Sequence, residues 1–270
     1  DMKKMFRILA LTWLGACLVC GCTSSTIGTR QVDHRPEIIV GSDVYPPYNY
    51  MDENGSPTGI DVELAREAFG RMGYQAVFVG IDWEEKDRLL KEKAVDCVWG
   101  CFSMNGREDR YLWAGPYMVS RQVVAVDRRS EIYHLDDLKG KMIAVQSTTK
   151  PEDIFLKHEG KVPELEGVYS FEDRELIYTA LGKGYVDAIA AHETAIAQYM
   201  KDYGADFRIL DEEILTTGIG VAFDRDDDRQ LAGQLSETLE QMRRDGTSAQ
   251  IIGHYLPDAE KYLEVGQSED

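Results

Sequence analysis

Apolar residues along this chain follow two rhythms. Short apolar runs alternate with stretches in which apolar side chains recur every three or four positions. The first rhythm predicts buried strands and the second predicts amphipathic helices. Residues 38–41 read as a buried strand, and Asn54-Gly55 reads as a tight turn. Ile60, Leu64, Ala68 and Met72 then share one helical face that stops at Gly73. A strand is predicted at 76–79, a helix at 84–91 with Leu89 and Leu90 inward, and a strand at 95–99.

A second series follows. Strands are predicted at 122–126, 141–145 and 186–190, and helices at 174–181, at 194–200 and from Pro151 onward, proline being favoured at a first helical position. Residues 217–223 read as a long strand. The helix predicted at 228–244 carries Leu231, Leu235, Leu239 and Met242 on one face and ends at Gly246. Alternating strands and helices predict mostly parallel sheets covered on both faces. Two such series joined by two long strands predict an α/β protein of two lobes with a cleft between them. No long-period repeat interrupts the pattern.

The first residues fit neither series. Lys3, Lys4 and Arg7 form a basic start, an apolar run covers 6–20, and Val19-Cys20-Gly21-Cys22 follows. This is the pattern of a secretion signal, too short for a membrane-spanning helix. It resembles a bacterial lipobox, in which Cys22 is lipidated and becomes the mature N-terminus; Leu14-Gly15-Ala16-Cys17 is a second candidate. Residues 23–36 are polar and rich in Ser, Thr and Gly, as suits a flexible tether. About 248 residues remain after Cys22, enough for one large domain or two modest ones. The full chain carries a net −18, and losing residues 1–22 takes it to about −20. Such acidity argues against nucleic acid or an anionic lipid surface as partner. Outside the signal only Cys97 and Cys101 remain. In an extended strand they stand too far apart to bond, so two free thiols are expected unless Gly100 turns the chain. No metal-type cysteine cluster is present.

Several stretches together resemble one family, the bacterial extracellular solute-binding proteins that capture polar amino acids for ABC importers (family 3). They are 41–48 (GSDVYPPY), 54–61 (NGSPTGID), Asp82-Trp83, Val95-Asp96, 103–117 (SMNGREDRYLWAGPY), 138–149 (LKGKMIAVQSTT), 184–188 (GYVDA) and Asp245-Gly246-Thr247. They run in the family's order over nearly the whole mature chain. The resemblance implies a type II periplasmic-binding-protein-like fold, each lobe a mostly parallel sheet flanked by helices, with two hinge strands. Lobe 1 is expected to take 37–124 and 218–270, and lobe 2 to take 125–217. The lobes would close over a ligand by hinge motion.

The resemblance also assigns a site. Arg107 lies six residues before Trp113 and nine before Pro116, the register of the family's ligand arginine; Arg110 does not. A guanidinium fork matches a carboxylate with two parallel hydrogen bonds. The bland alternative for Arg107 is an ion pair with Glu108 or Asp109, and its loop is one residue shorter than the family's. Ser103 with the backbone at Gly100 and Cys101 would complete the polar rim. Tyr45 and Trp83 would cover the ligand with their rings, or else pack as ordinary core. Asp43 is a candidate to orient a cationic group. In lobe 2, Thr148 and Thr149 precede a helix start that attracts a carboxylate, unless they serve only as caps.

The departure from the family follows Val186-Asp187-Ala188. Five residues after the aspartate, where the family places an acid for the ligand's α-ammonium, this chain has His192, then Glu193. A neutral imidazole accepts a hydrogen bond but brings no countercharge. Either Glu193 turns inward to compensate or the ligand is not a standard α-amino acid.

The expectation from these readings is a lipid-anchored, extracytoplasmic substrate-binding protein of an ABC transporter. It would bind an amino acid or similar small zwitterion, use no cofactor or metal, act as a monomer and present its ligand to a permease. An alternative on the same fold is a cyclohexadienyl or arogenate-type dehydratase with Glu193 as general acid. A third is a ligand-sensing module for a separate signalling protein.

Overall fold

The computed structural model describes residues 33–264. The predicted signal segment, Cys22 and most of the predicted tether lie outside the described residues.

Strand β1 (Glu37–Ser42) opens the fold, and the short hairpin β2 (Tyr50–Met51) and β3 (Pro57–Thr58) turns at Asn54-Gly55. Helix α1 (Ile60–Arg71) buries Ile60, Leu64 and Ala68 as its periodicity requires, and also Val62, Ala65 and Phe69. Its start is fixed by backbone contact: the Ile60 and Asp61 N–H groups donate to the carbonyls of Pro47 and Tyr48, each at 2.9 Å. Gly59, at φ 120°, allows this, because a Cβ there would collide with the Tyr48 carbonyl oxygen.

Strand β4 (Gln75–Gly80) leads through a 3₁₀ turn at Trp83–Glu85 into α2 (Lys86–Lys91) and then β5 (Cys97–Ser103). A 16-residue strand, β6 (Leu112–Asp127), carries the chain onward to β7 (Met142–Gln146), α3 (Lys150–Lys157), β8 (Gly167–Phe171), α4 (Arg174–Gly182), β9 (Ala188–His192) and α5 (Glu193–Tyr203). The 17-residue strand β10 (Phe207–Phe223) returns it, and α6 (Leu231–Arg244) and α7 (Thr247–Gly253) follow.

Apart from the β2-β3 hairpin, the strands join in one eight-stranded sheet ordered β4-β1-β5-β10-β6-β9-β7-β8. Its two ends are parallel, β4-β1-β5 on one side and β9-β7-β8 on the other. The middle is antiparallel, because β6 and β10 run against each other along nearly their whole length. They are longer than the predicted strands 122–126 and 217–223, since both pass through the two halves of the molecule. Strand β8 and helix α7 were not predicted.

Four apolar clusters form the core. Two are built chiefly from 38–118 and 219–263, and two from 123–214. The break falls between Met118 and Val123 on β6 and between Ile214 and Ile219 on β10. Cys97 and Cys101 are free and buried.

Candidate functional site

A cavity of about 420 Å³, open solvent included, lies between the two sets of clusters. Its floor is the C-terminal end of β5. Gly100 belongs there because a Cβ would run into Ser42 Oγ and stand 3.3 Å from the Trp83 ring. Cys101 adopts a left-handed conformation, φ 50°, and its N–H donates to Asp61 Oδ2 at 2.8 Å. Tyr117 donates to the other oxygen of Asp61 at 2.8 Å. Burial pushes the Asp61 carboxyl up to about 7, although these hydrogen bonds pull it down.

Arg107 enters from the loop after β5. The Trp113 indole N–H donates to the Arg107 carbonyl at 3.0 Å, so the six-residue spacing between them is a fixed turn. The guanidinium is 5% exposed and lies over the Phe102 ring at 5.4 Å. It donates to the Ser103 carbonyl at 3.2 Å and the Thr148 carbonyl at 3.4 Å, and stands 3.6 Å from Asp153. The bland alternative, an ion pair with Glu108 or Asp109, is not what this geometry shows. Arg110 instead points outward to Asp87 at 2.7 Å.

Of the other residues singled out in the sequence, Ser103, Gly100, Cys101, Tyr45, Trp83, Thr148, Thr149 and His192 all line the cavity with Arg107. Thr149 stands at the start of α3 without capping it through its side chain, its hydroxyl donating instead back to the Gln146 carbonyl at 2.6 Å. The Thr148 N–H is occupied by Glu152 Oε1 at 3.0 Å, so this helix-start donor is already paired. Asp43 sits behind the lining, 3.1 Å from Arg174 and accepting from Gln146 at 3.0 Å.

Glu193 is not brought in. It begins α5, pairs with Arg121 at 2.9 Å and borders a different depression. The side chain before it, His192, points inward as the last residue of β9. Gln122 donates to its Nε2 at 3.0 Å, which leaves Nδ1 carrying the proton toward Ser120 Oγ at 2.6 Å. Burial, aided by the charge of Arg174, lowers His192 to about 3. It is neutral at any ordinary pH.

Four polar lining residues were not assigned a ligand role from sequence: Gln122, Gln146, Lys150 and Arg174. Arg174 is buried, its guanidinium centred 3.1 Å from the Tyr45 ring. Gln122 Oε1 and Gln146 Oε1 are buried with no hydrogen-bond partner among the described residues. Lys86 is a fifth omission, just behind the wall. It is 4% exposed, donates to Thr148 Oγ1 at 3.0 Å and the Trp83 carbonyl at 3.2 Å, and lies over the Trp83 ring at 5.1 Å. Burial lowers its ammonium to about 8.

The two halves touch around this cavity. Besides the Arg107, Lys86 and Asp43 contacts, the Tyr48 and Thr194 hydroxyls meet at 2.5 Å, and the His192 N–H reaches the Tyr45 hydroxyl at 3.4 Å. Among the described residues no helix is long and apolar enough to cross a membrane, and no cluster of His, Cys, Asp and Glu suits a metal.

Comparison with known proteins gives consistent matches. A family model described as bacterial extracellular solute-binding proteins, family 3, matches residues 38–258. The histidine-binding periplasmic protein of Escherichia coli strain K12 is 26% identical over 265 residues, covering 94% of this chain and 97% of that one. A solved structure of an ancestral arginine-binding protein bound to arginine is 26% identical, with a TM-score of 0.74 over 83% of this chain and 99% of the other. An ancestral amino acid-binding protein, described as a precursor of cyclohexadienyl dehydratase, is 25% identical with a TM-score of 0.72, over 82% and 96%.

Proposed function

The chain belongs to family 3 of the bacterial extracellular solute-binding proteins, with the two-lobe type II fold of that class, and from that premise we propose that it is the substrate-binding component of an ABC importer. It takes a small carboxylate-bearing solute, an amino acid or a related polar molecule, between lobe 1, expected at 37–124 and 218–270, and lobe 2, expected at 125–217, with the break on β6 drawn back to 118–123 by the packing of Val123 and Val124 in lobe 2. Cys22 carries the lipid that tethers it outside the cytoplasm, and a permease receives the ligand.

The observation that carries this reading is Arg107. A buried guanidinium is stable only with acceptors around it, and two of its recorded contacts are long, at 3.4 and 3.6 Å. A ligand carboxylate fits the remaining donors bidentately. Ser103, Gly100 and the Thr148 side chain complete the rim, and Tyr45 and Trp83 flank it. The contacts between halves support a closed state as the binding conformation.

The dehydratase reading needs a carboxyl group at the substrate. Glu193 is turned to Arg121, and no Asp or Glu lies among the described lining residues. Binding without turnover is therefore the better fit.

A thermal-shift screen of the purified protein against the standard amino acids and small carboxylic acids tests the proposal. At least one compound should raise the melting temperature, and Arg107→Ala should abolish that rise. A ligand whose stabilisation survives Arg107→Ala would refute the clamp, and catalytic consumption of the ligand would refute the transport role.

A further inference from the structure

The charges around the cavity are one-sided. Its lining contains Arg107, Lys150 and Arg174 and, among the described residues, no carboxylate. Asp43 lies outside the lining and pairs with Arg174 at 3.1 Å through Oδ2, its Oδ1 being buried with no hydrogen-bond partner among the described residues. Asp153 faces Arg107 only at 3.6 Å, and Glu159 faces Lys150 at 3.4 Å, both from more exposed positions. His192 occupies the place from which a countercharge for an ammonium would come, and it is fixed as a neutral ring by Ser120 and Gln122.

Lys86 adds a cation that none of this explains. Its ammonium is buried, yet no carboxylate among the described residues stands within ion-pair distance, and its two recorded acceptors are neutral oxygens. The acids on either side of it in sequence are directed elsewhere, Glu85 to Arg88 and Asp87 to Arg110 and Tyr111. A buried ammonium held only by neutral groups is costly unless an anion arrives. The wall it backs, Thr148 and Trp83, faces the cavity that Arg107 enters.

We propose that the cleft selects a small dicarboxylate, one carboxylate held by Arg107 and the second drawn to the Lys86–Thr148 side, with an α-ammonium on the ligand optional rather than required. This deepens the substrate-binding function proposed above and rests on it. Cationic amino acids such as arginine, the ligand of the solved relative, find no acid here to receive a second positive charge. The unpartnered oxygens of Gln122 and Gln146 accept a hydroxyl or amine hydrogen bond from the ligand's backbone, but they are neutral and supply no ion pair. An amine thus adds a hydrogen bond without a countercharge.

Isothermal titration of the purified protein with succinate, glutarate, L-glutamate, L-glutamine and L-arginine reads this directly. A diacid should bind at least tenfold more tightly than L-glutamine and L-arginine, and L-glutamate should fall within about tenfold of glutarate. Lys86→Met should weaken the diacids on the order of tenfold while moving L-glutamine less than threefold, and Lys86→Arg should keep most of the preference; melting curves of both variants check that they fold. Tighter binding of L-arginine or L-glutamine, or equal losses for every ligand in Lys86→Met, overturns the diacid assignment while leaving the binding function intact. If no amino acid and no diacid binds, the binding function falls and this inference falls with it.

Discussion

Glu193 Oε1 lies 2.9 Å from Arg121 Nη1, on the outer side of the strand end that points His192 into the cavity. Neighbouring residues leave β9 in opposite directions, so only one of them can reach the ligand. The Glu193–Arg121 pair is about one-third exposed on each side. Glu193→Gln should therefore leave ligand affinity within about twofold and cost no more than roughly 1 kcal/mol of stability. Calorimetric affinity and a denaturant curve check both.

His192→Asp should change selectivity rather than remove binding. It places a carboxylate among the cations of the cavity, where an ammonium would find it. Affinity for neutral zwitterions such as L-glutamine should rise relative to glutarate by on the order of tenfold, as expected when one charge-assisted bond of 1.5–3 kcal/mol is added. Competition titrations with the two probes measure the ratio.

Asp61 and His192 should oppose one another in the dependence of stability on pH. Burial raises Asp61 to about 7, so the folded state keeps a proton that the unfolded chain gives up near 4, and this term lowers stability as pH rises through that window. Burial lowers His192 to about 3, so the unfolded chain takes up a proton below 6.5 that the folded state refuses, and this term raises stability with pH over nearly the same window. The two largely cancel. Relative to the parent, His192→Gln should lose stability as pH goes from 4 to 7, and Asp61→Asn should gain it, each by up to about 4 kcal/mol. Denaturant midpoints at pH 4.5 and 7 test the signs.

Gly100→Ala should weaken ligand binding more than its single methyl suggests. The added carbon meets Ser42 Oγ and the Trp83 ring at the cavity floor. Crowding of this kind costs roughly 1–3 kcal/mol of stability, and displacement of Trp83 also disturbs the ligand's aromatic wall. Melting temperature and affinity should fall together.

Much of this was legible in sequence because local patterns carry it. The 3.6-residue spacing of Ile60, Leu64 and Ala68 gives α1 without knowledge of what it packs on. Arg107 was picked out by the resemblance, through its register to Trp113 and Pro116, and that register has a physical counterpart in the Trp113 indole that holds the Arg107 carbonyl. Strand β8 was not, since its residues are half-buried or exposed and show no alternation to mark a strand. Lys86 was not, because it stands in the charged run Glu84-Glu85-Lys86-Asp87-Arg88, which reads as a solvated face. What buries it, Thr148 and Phe102 among others, is distant in the chain. Arg174 and Gln146 escaped notice as site residues for the same reason, their partner Asp43 lying more than a hundred residues earlier.

The unbroken passage of β6 and β10 through both halves sets the kind of movement the molecule can make. Two paired strands form a twisted ribbon, and its twist is most easily changed where the pairing is irregular. The register shifts near Glu213 and Ile219 are where such a ribbon is softest. On the closing motion proposed above, the two strands that join the halves are the only part of the sheet that must bend, and the bending would concentrate at those irregularities.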